Sequence, residues 1–177
     1  MRRIALVQKL KEILTFANVE KNDYAIIAGY CLYQMRDVGD IDVIVSKNAF
    51  EKLETLDILK KGIATLDGVK KLYIEFEDIG NNAEIEFFEK ENKGFPDDRF
   101  SLRNMQVKNM LVDDDYGNCM IAPLYLLEFY SNIDHIRSNK ARILKNIGHL
   151  NLIKEHHHEY ESEICKKISE LENVLSQ

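Results

Sequence analysis

Three observations predict an α/β (α+β) fold. Apolar strands and helical segments alternate from Tyr24 to about Leu59, a hairpin pattern occupies Leu72 to Phe88, and helical spacing prevails from Pro123 onward. The chain has 177 residues, 45% hydrophobic and 31% charged, which suffices for a sizeable core and fits one compact domain. Within it, residues 1–122 read as an α/β region and 123–177 as a helical subregion packed on it; no repeat or linker separates them.

Each element has a local reason. Ile4, Val7, Leu10, Ile13 and Leu14 recur at helical spacing, so Arg3 to about Ala17 is an amphipathic helix, broken by Asn22-Asp23. Tyr24 to Ala28 is an apolar strand, Tyr30 to about Met35 a short helix, and Asp40 to Ser46 a second strand. Lys47 to about Leu59 returns to helical spacing through Phe50, Leu53 and Leu56, and Lys61-Gly62 stops it. Leu72 to Ile79 and Ala83 to Phe88 alternate apolar and polar residues around Gly80-Asn81, the signature of a hairpin. Centring the turn there pairs Phe76 with Ile85 and Ile74 with Phe87 on one face. Glu75 then opposes Glu86 and Glu77 opposes Glu84 on the other, so that face needs either water or a cation.

Glu91 to Arg99 is a polar loop. Val107 to Val112 and Cys119 to Ala122 form a further strand pair around the acidic turn Asp113 to Asn118. That turn is not an EF-hand, because its glycine is out of step and Leu124 stands where a bidentate Glu is required. Helices are expected over Pro123 to about Ser138, Lys140 to about His156 and Glu159 to Leu175, the first opened by proline at a first helical position.

Composition narrows the partners. A formal net charge of -6 argues against broad nonspecific nucleic-acid binding and favours a small substrate or a protein partner. Cys31, Cys119 and Cys165 are too scattered for a disulfide framework or a zinc ribbon. Charged residues interrupt any signal-peptide core, and no apolar run approaches the ~20 residues of a membrane span, so a cytoplasmic, non-membrane protein is expected.

The chemistry concentrates at Tyr24 to Ser46. Residues two apart on a strand share a face, so Asp40 and Asp42 project together while Ile41, Val43 and Val45 face the other way. Val43-Ile44-Val45 marks the strand as interior, where carboxylates are costly unless a cation such as a divalent metal meets them. His156-His157-His158 lacks metal-ligand spacing and reads as a solvated helix end. His135 and His149 read as helix-face residues, Lys140, Arg142 and Lys145 as a solvent-facing basic stripe, and Tyr125, Phe129 and Tyr130 as core.

Ala28-Gly29, then Asp40-Ile41-Asp42-Val43, then Ile85-Glu86-Phe87 resembles the three-part signature of the polymerase-beta-like nucleotidyltransferase superfamily. Met120 to Leu127 is similar to the strand-then-helix segment of its small bacterial members, including toxin-related ones, so the resemblance spans roughly residues 24–146. It implies a mixed nucleotidyltransferase-type sheet flanked by helices. It also implies transfer of a nucleoside monophosphate from a nucleoside triphosphate to an acceptor, which would be a small molecule, a protein or tRNA. By the same resemblance Asp40, Asp42 and Glu86 are both catalytic residues and ligands of Mg²⁺ (or Mn²⁺), and Glu86 helps deprotonate the acceptor hydroxyl. Gly29 and Tyr30 form the bend whose backbone amides meet the phosphates, and Arg36 matches a basic residue before the acidic pair. Glu84 shares the face of Glu86 and is the alternative third carboxylate. Tyr30 departs from the usual Ser or Gly, although a tyrosine backbone amide serves equally if its ring turns aside. That departure defines the alternative, a catalytically weakened nucleotidyltransferase-fold binding module, possibly in a toxin-antitoxin pair.

Overall fold

The computed structural model describes residues 2–32, 39–65, 67–77, 79, 83–134 and 136–177. Arg36, the end of the expected helix after Tyr30, the Gly80-Asn81 turn and His135 lie outside the described residues. The chain divides into two compact units, Met1–Ala122 and Pro123–Gln177.

In the first unit the described residues form helices α1 (Arg2–Phe16), α2 (Lys47–Leu53) and α3 (Leu102–Val107). They also form strands β1 (Tyr24–Ile27), β2 (Asp40–Val45), β3 (Lys60–Ile63), β4 (Lys70–Glu75), β5 (Glu84–Glu89), β6 (Leu111–Asp113) and β7 (Cys119–Ile121). The strands make one mixed sheet in the order β3-β4-β5-β2-β1-β7-β6. β2 runs parallel to β5 and antiparallel to β1, and β1 runs parallel to β7. The three central strands carry the apolar runs: Ile41, Val43, Ile85 and Phe87 are fully buried, and the register sets Ile41 beside Ile85 and Val43 beside Phe87. Burying these side chains contributes about 1.5–3 kcal/mol each, which is what fixes β2 and β5 in the middle of the sheet. α1 and α2 both pack against β5, with Leu6, Leu10 and Leu53 fully buried.

Caps and turns decide where elements end. Ser46 closes β2 and caps α2: its Oγ accepts from Ala49 N at 3.1 Å and donates to Asp23 Oδ1 at 2.9 Å. α2 stops at Leu53 rather than near Leu59, and the chain enters β3, a strand the sequence pattern concealed. β3 lies at the sheet edge, is mostly exposed and begins Lys-Lys-Gly, a composition that protects an edge and erases the apolar alternation by which strands are recognised. Ser101 Oγ accepts from Asn104 N at 3.3 Å and starts α3, so the strand expected from Val107 is confined to Leu111–Asp113.

The β4–β5 hairpin is paired two residues away from the expected register. Ile74 opposes Ile85, Leu72 opposes Phe87, Glu75 opposes Glu84, and Tyr73 rather than Glu75 opposes Glu86. A slip of two leaves every side chain on its face, so alternation alone does not resolve it.

The second unit contains α4 (Leu126–Ser131), α5 (Lys140–His156) and α6 (Glu161–Leu175), with a 3-10 turn at Pro123–Tyr125 before α4. The first of these is shorter than the sequence predicts because Asn132 is extended and its Oδ1 accepts from Asp134 N at 3.2 Å, an Asx turn that competes with the helix. Asn139 caps α5 through Arg142 N at 3.0 Å. Ile143, Leu150, Ile164 and Leu171 are buried, and Asn146 Nδ2 donates to the Tyr130 carbonyl at 2.9 Å, tying α5 to α4. His149 is buried with its ring centroid 4.5 Å from that of Tyr130, so it is an internal packing residue. No helix among the described residues is long and apolar enough to cross a membrane.

Candidate functional site

Three strand ends meet at one end of the central strands. Because β1 is antiparallel to β2 with Ile27 opposite Asp42, the bend after β1 emerges beside the first residues of β2. Because β5 is parallel to β2, Asp40 lies beside Glu84 and Asp42 beside Glu86. Neighbouring strands are about 4.8 Å apart and directly paired residues share a face, so the four carboxylates form a two-by-two block next to the bend. All four are half-buried.

The bend is a 3-10 turn over Ala28–Leu32. Its left-handed residue is Ala28, at φ 60°, immediately before Gly29. A Cβ in that conformation costs roughly 1–2 kcal/mol, which the flanking strand and turn must hold in place. Tyr30 is fully buried, and its hydroxyl donates to Asp114 Oδ2 at 2.5 Å. Its ring is therefore turned inward. Asp114 also accepts from Tyr116 N at 2.8 Å, Asn118 N at 2.8 Å and Asn118 Nδ2 at 2.9 Å. The acidic turn between β6 and β7 thus anchors the bend, with Asp114 engaged in internal hydrogen bonds. Cys31, in the same turn, bonds the Ile26 carbonyl at 3.4 Å. Burial, reinforced by the charges of Asp42 and Asp114, holds its thiol far above the usual cysteine range, so it is no nucleophile.

The carboxylate block meets a cation supplied by the chain. Lys71 Nζ bonds Glu86 and lies 3.8 Å from Glu84 Oε1 and 4.8 Å from the centroid of the Tyr73 ring. Burial, with the charge of Glu86 next, raises Glu84 above the usual carboxylate value despite Lys71. Burial is also the largest single influence on Lys71 and pulls its ammonium down, but the Glu86 hydrogen bond and the charges of Glu86 and Glu84 outweigh it and leave it raised. Farther out on this face Glu75 pairs with Lys60 at 2.5 Å.

As the side chains stand, no three His, Cys, Asp or Glu among the described residues close round a point where a metal ion could sit. The donors are nevertheless right in kind and in register for a hard divalent cation: oxygen ligands only, paired on adjacent strands, with a positive charge already drawn onto Glu86. Asp40, Asp42 and Glu86 would hold such an ion. Other candidates are not assembled in this way. Lys140 donates to the Leu175 carbonyl at 3.2 Å within the second unit. His156 Nδ1 contacts the Leu152 carbonyl at 2.9 Å and His157 Nδ1 contacts Glu159 at 3.3 Å, so these histidines have separate local partners.

Lys71 is not among the sequence candidates, since the alternation read from the sequence begins at Leu72. The signal lay one residue further back: Lys71, Tyr73 and Glu75 alternate with Leu72 and Ile74, which puts the lysine on the carboxylate face. Compared with protein-family models, curated proteins and solved structures, the chain matches none of them.

Proposed function

We propose that this protein is a metal-dependent nucleotidyltransferase that passes a nucleoside monophosphate from a nucleoside triphosphate to an acceptor hydroxyl on a small molecule, a protein or tRNA. The observation that carries the reading is the pairing of Asp40-Ile41-Asp42 with Glu84-Ile85-Glu86 beside the bend that follows β1. Divalent ions held by Asp40, Asp42 and Glu86 would supply charge neutralisation of the transferring phosphoryl group and of the attacking and leaving oxygens in an in-line displacement, in which the acceptor oxygen bonds the α-phosphorus and pyrophosphate leaves. The chain's own part is positional and acid-base. Asp40 and Asp42 would hold the cation next to the bend, and the backbone of the bend would offer N–H groups to the β- and γ-phosphates. Glu86 accepts the acceptor's proton in this reading, and Glu84, whose proton affinity is raised, is the alternative carboxylate. The inward ring of Tyr30 supports the reading, because the departure from a small residue at this position does not turn its own ring toward the exposed side of the bend.

One observation favours a second reading, that of a weakened fold acting as a nucleotide-binding module, including a role beside a protein partner in a toxin-antitoxin pair. The Lys71–Glu86 ion pair already neutralises the third carboxylate.

Titration of labelled ATP, GTP, CTP and UTP with Mg²⁺ or Mn²⁺, repeated on Asp40→Asn with Asp42→Asn, tests both. Metal-dependent binding lost in the double variant, with turnover on an added acceptor, is the result expected of the enzyme. Binding without turnover on any acceptor supports the module. Binding that persists unchanged in the double variant refutes the site.

A further inference from the structure

Lys71 enters the carboxylate face from β4, where it alternates with Leu72 and so shares a face with Tyr73, the residue opposite Glu86. Its side chain is 21% exposed, against 19% for Glu86 and 27% for Glu84, so water screens the cluster only in part. The ring of Tyr73 supplies a third favourable contact for the ammonium. A lysine so placed occupies the negative charge on which a divalent ion would otherwise draw.

We propose that Lys71 is a resident counter-ion that a divalent metal must displace from Glu86, so that the site admits a metal–polyphosphate complex in preference to the bare metal. The inference rests on the nucleotidyltransferase reading of the same carboxylates. A bare ion arriving at Asp40 and Asp42 gains Glu86 only by leaving a half-buried ammonium with Glu84 as its remaining carboxylate, at 3.8 Å, and next to a second positive charge. A polyphosphate brings anionic oxygens of its own. The displaced ammonium transfers to them on its flexible four-carbon stem, and β4 need not move. Lys71 is therefore a positioning residue acting through Glu86, and it couples occupancy of the metal to occupancy of the nucleotide.

The test is calorimetric titration of Mn²⁺ alone, and of Mn²⁺ premixed with a nonhydrolysable ATP analogue, into the wild-type chain and its variants. Those variants are Lys71→Met, Lys71→Arg and the double variant Asp40→Asn with Asp42→Asn. Lys71→Met is expected to tighten bare Mn²⁺ by about tenfold or more and to shrink the preference for the nucleotide complex by a similar factor. Lys71→Arg keeps the charge and is expected to keep the wild-type preference. A purely structural lysine would alter stability without moving this ratio. Unchanged bare-metal affinity in Lys71→Met, with binding lost in the aspartate double variant, overturns the role of Lys71 and leaves the carboxylate site standing. Failure of both wild type and Lys71→Met to bind Mn²⁺ in either form overturns the site and the lysine together. Should Lys71→Met not fold, as read by circular dichroism, Lys71→Gln carries the same comparison.

Discussion

Replacing Tyr30 by Phe removes the hydroxyl that ties the bend to the acidic turn and keeps the ring. Tyr30 is fully buried and donates at 2.5 Å to Asp114, itself 7% exposed, so water does not replace the lost partner. A hydrogen bond to a charged group contributes about 1.5–3 kcal/mol. Asp114 keeps its bonds from Asn118 Nδ2 at 2.9 Å and from the Asn118 and Tyr116 amides, each at 2.8 Å. The carboxylate therefore stays well solvated by the protein, and the expected cost is about 2 kcal/mol. For a chain of this length that lowers the thermal midpoint by roughly 6 °C. Urea unfolding followed by circular dichroism gives the free-energy difference, and thermal melting gives the midpoint. A loss below about 0.5 kcal/mol, within the range of ordinary surface substitutions, would refute the claim that this bond anchors the bend. The variant also carries a functional prediction. Since the ring faces inward, metal-dependent nucleotide affinity should stay within about threefold of wild type, and a tenfold loss at undiminished stability would show the hydroxyl facing the ligand instead.

Three further outcomes follow from the same geometry. Gly94→Ala sets a Cβ against the backbone of Asp97, Phe100 and Ser101, none of which is a flexible side-chain end; it should destabilise by about 1–3 kcal/mol in urea titration. Ala28→Gly relieves the left-handed residue at φ 60° and should raise stability by about 1 kcal/mol on the same assay, at the cost of a looser bend. Burial, chiefly, pushes the Tyr24 phenol up from 10.0 to about 12. The folded state then holds this proton to higher pH than the unfolded chain. The stability involved is complete below pH about 10 and should fall by about 2–3 kcal/mol as pH rises to about 12. Tyr24→Phe should flatten that alkaline limb in unfolding curves taken across the range.

Much of the strand content of the first unit was legible because alternation and apolar runs are local signals. Asp40 and Asp42 could be assigned to one face from their spacing, and the apolar neighbours Ile41 and Val43 to the buried one. The hairpin between β4 and β5 was visible, yet its pairing was not, because both registers keep Glu75, Glu84 and Glu86 on the same face. β3 was hidden since an exposed edge strand needs no apolar alternation, and α3 since six residues are too few to establish a period.

The sequence by itself determined which residue types line the apolar and alternating strands and that two aspartates two apart share a side. Those properties follow from the twofold repeat of an extended backbone and need no knowledge of neighbours. Tertiary structure alone decided that β5 runs alongside β2, so that Glu84 and Glu86 meet Asp40 and Asp42, that the Tyr30 ring turns inward to Asp114, and that Lys71 brings its ammonium to Glu86. Strand neighbours are chosen by burial and hydrogen bonding summed over segments distant in the chain, a sum that no local window contains.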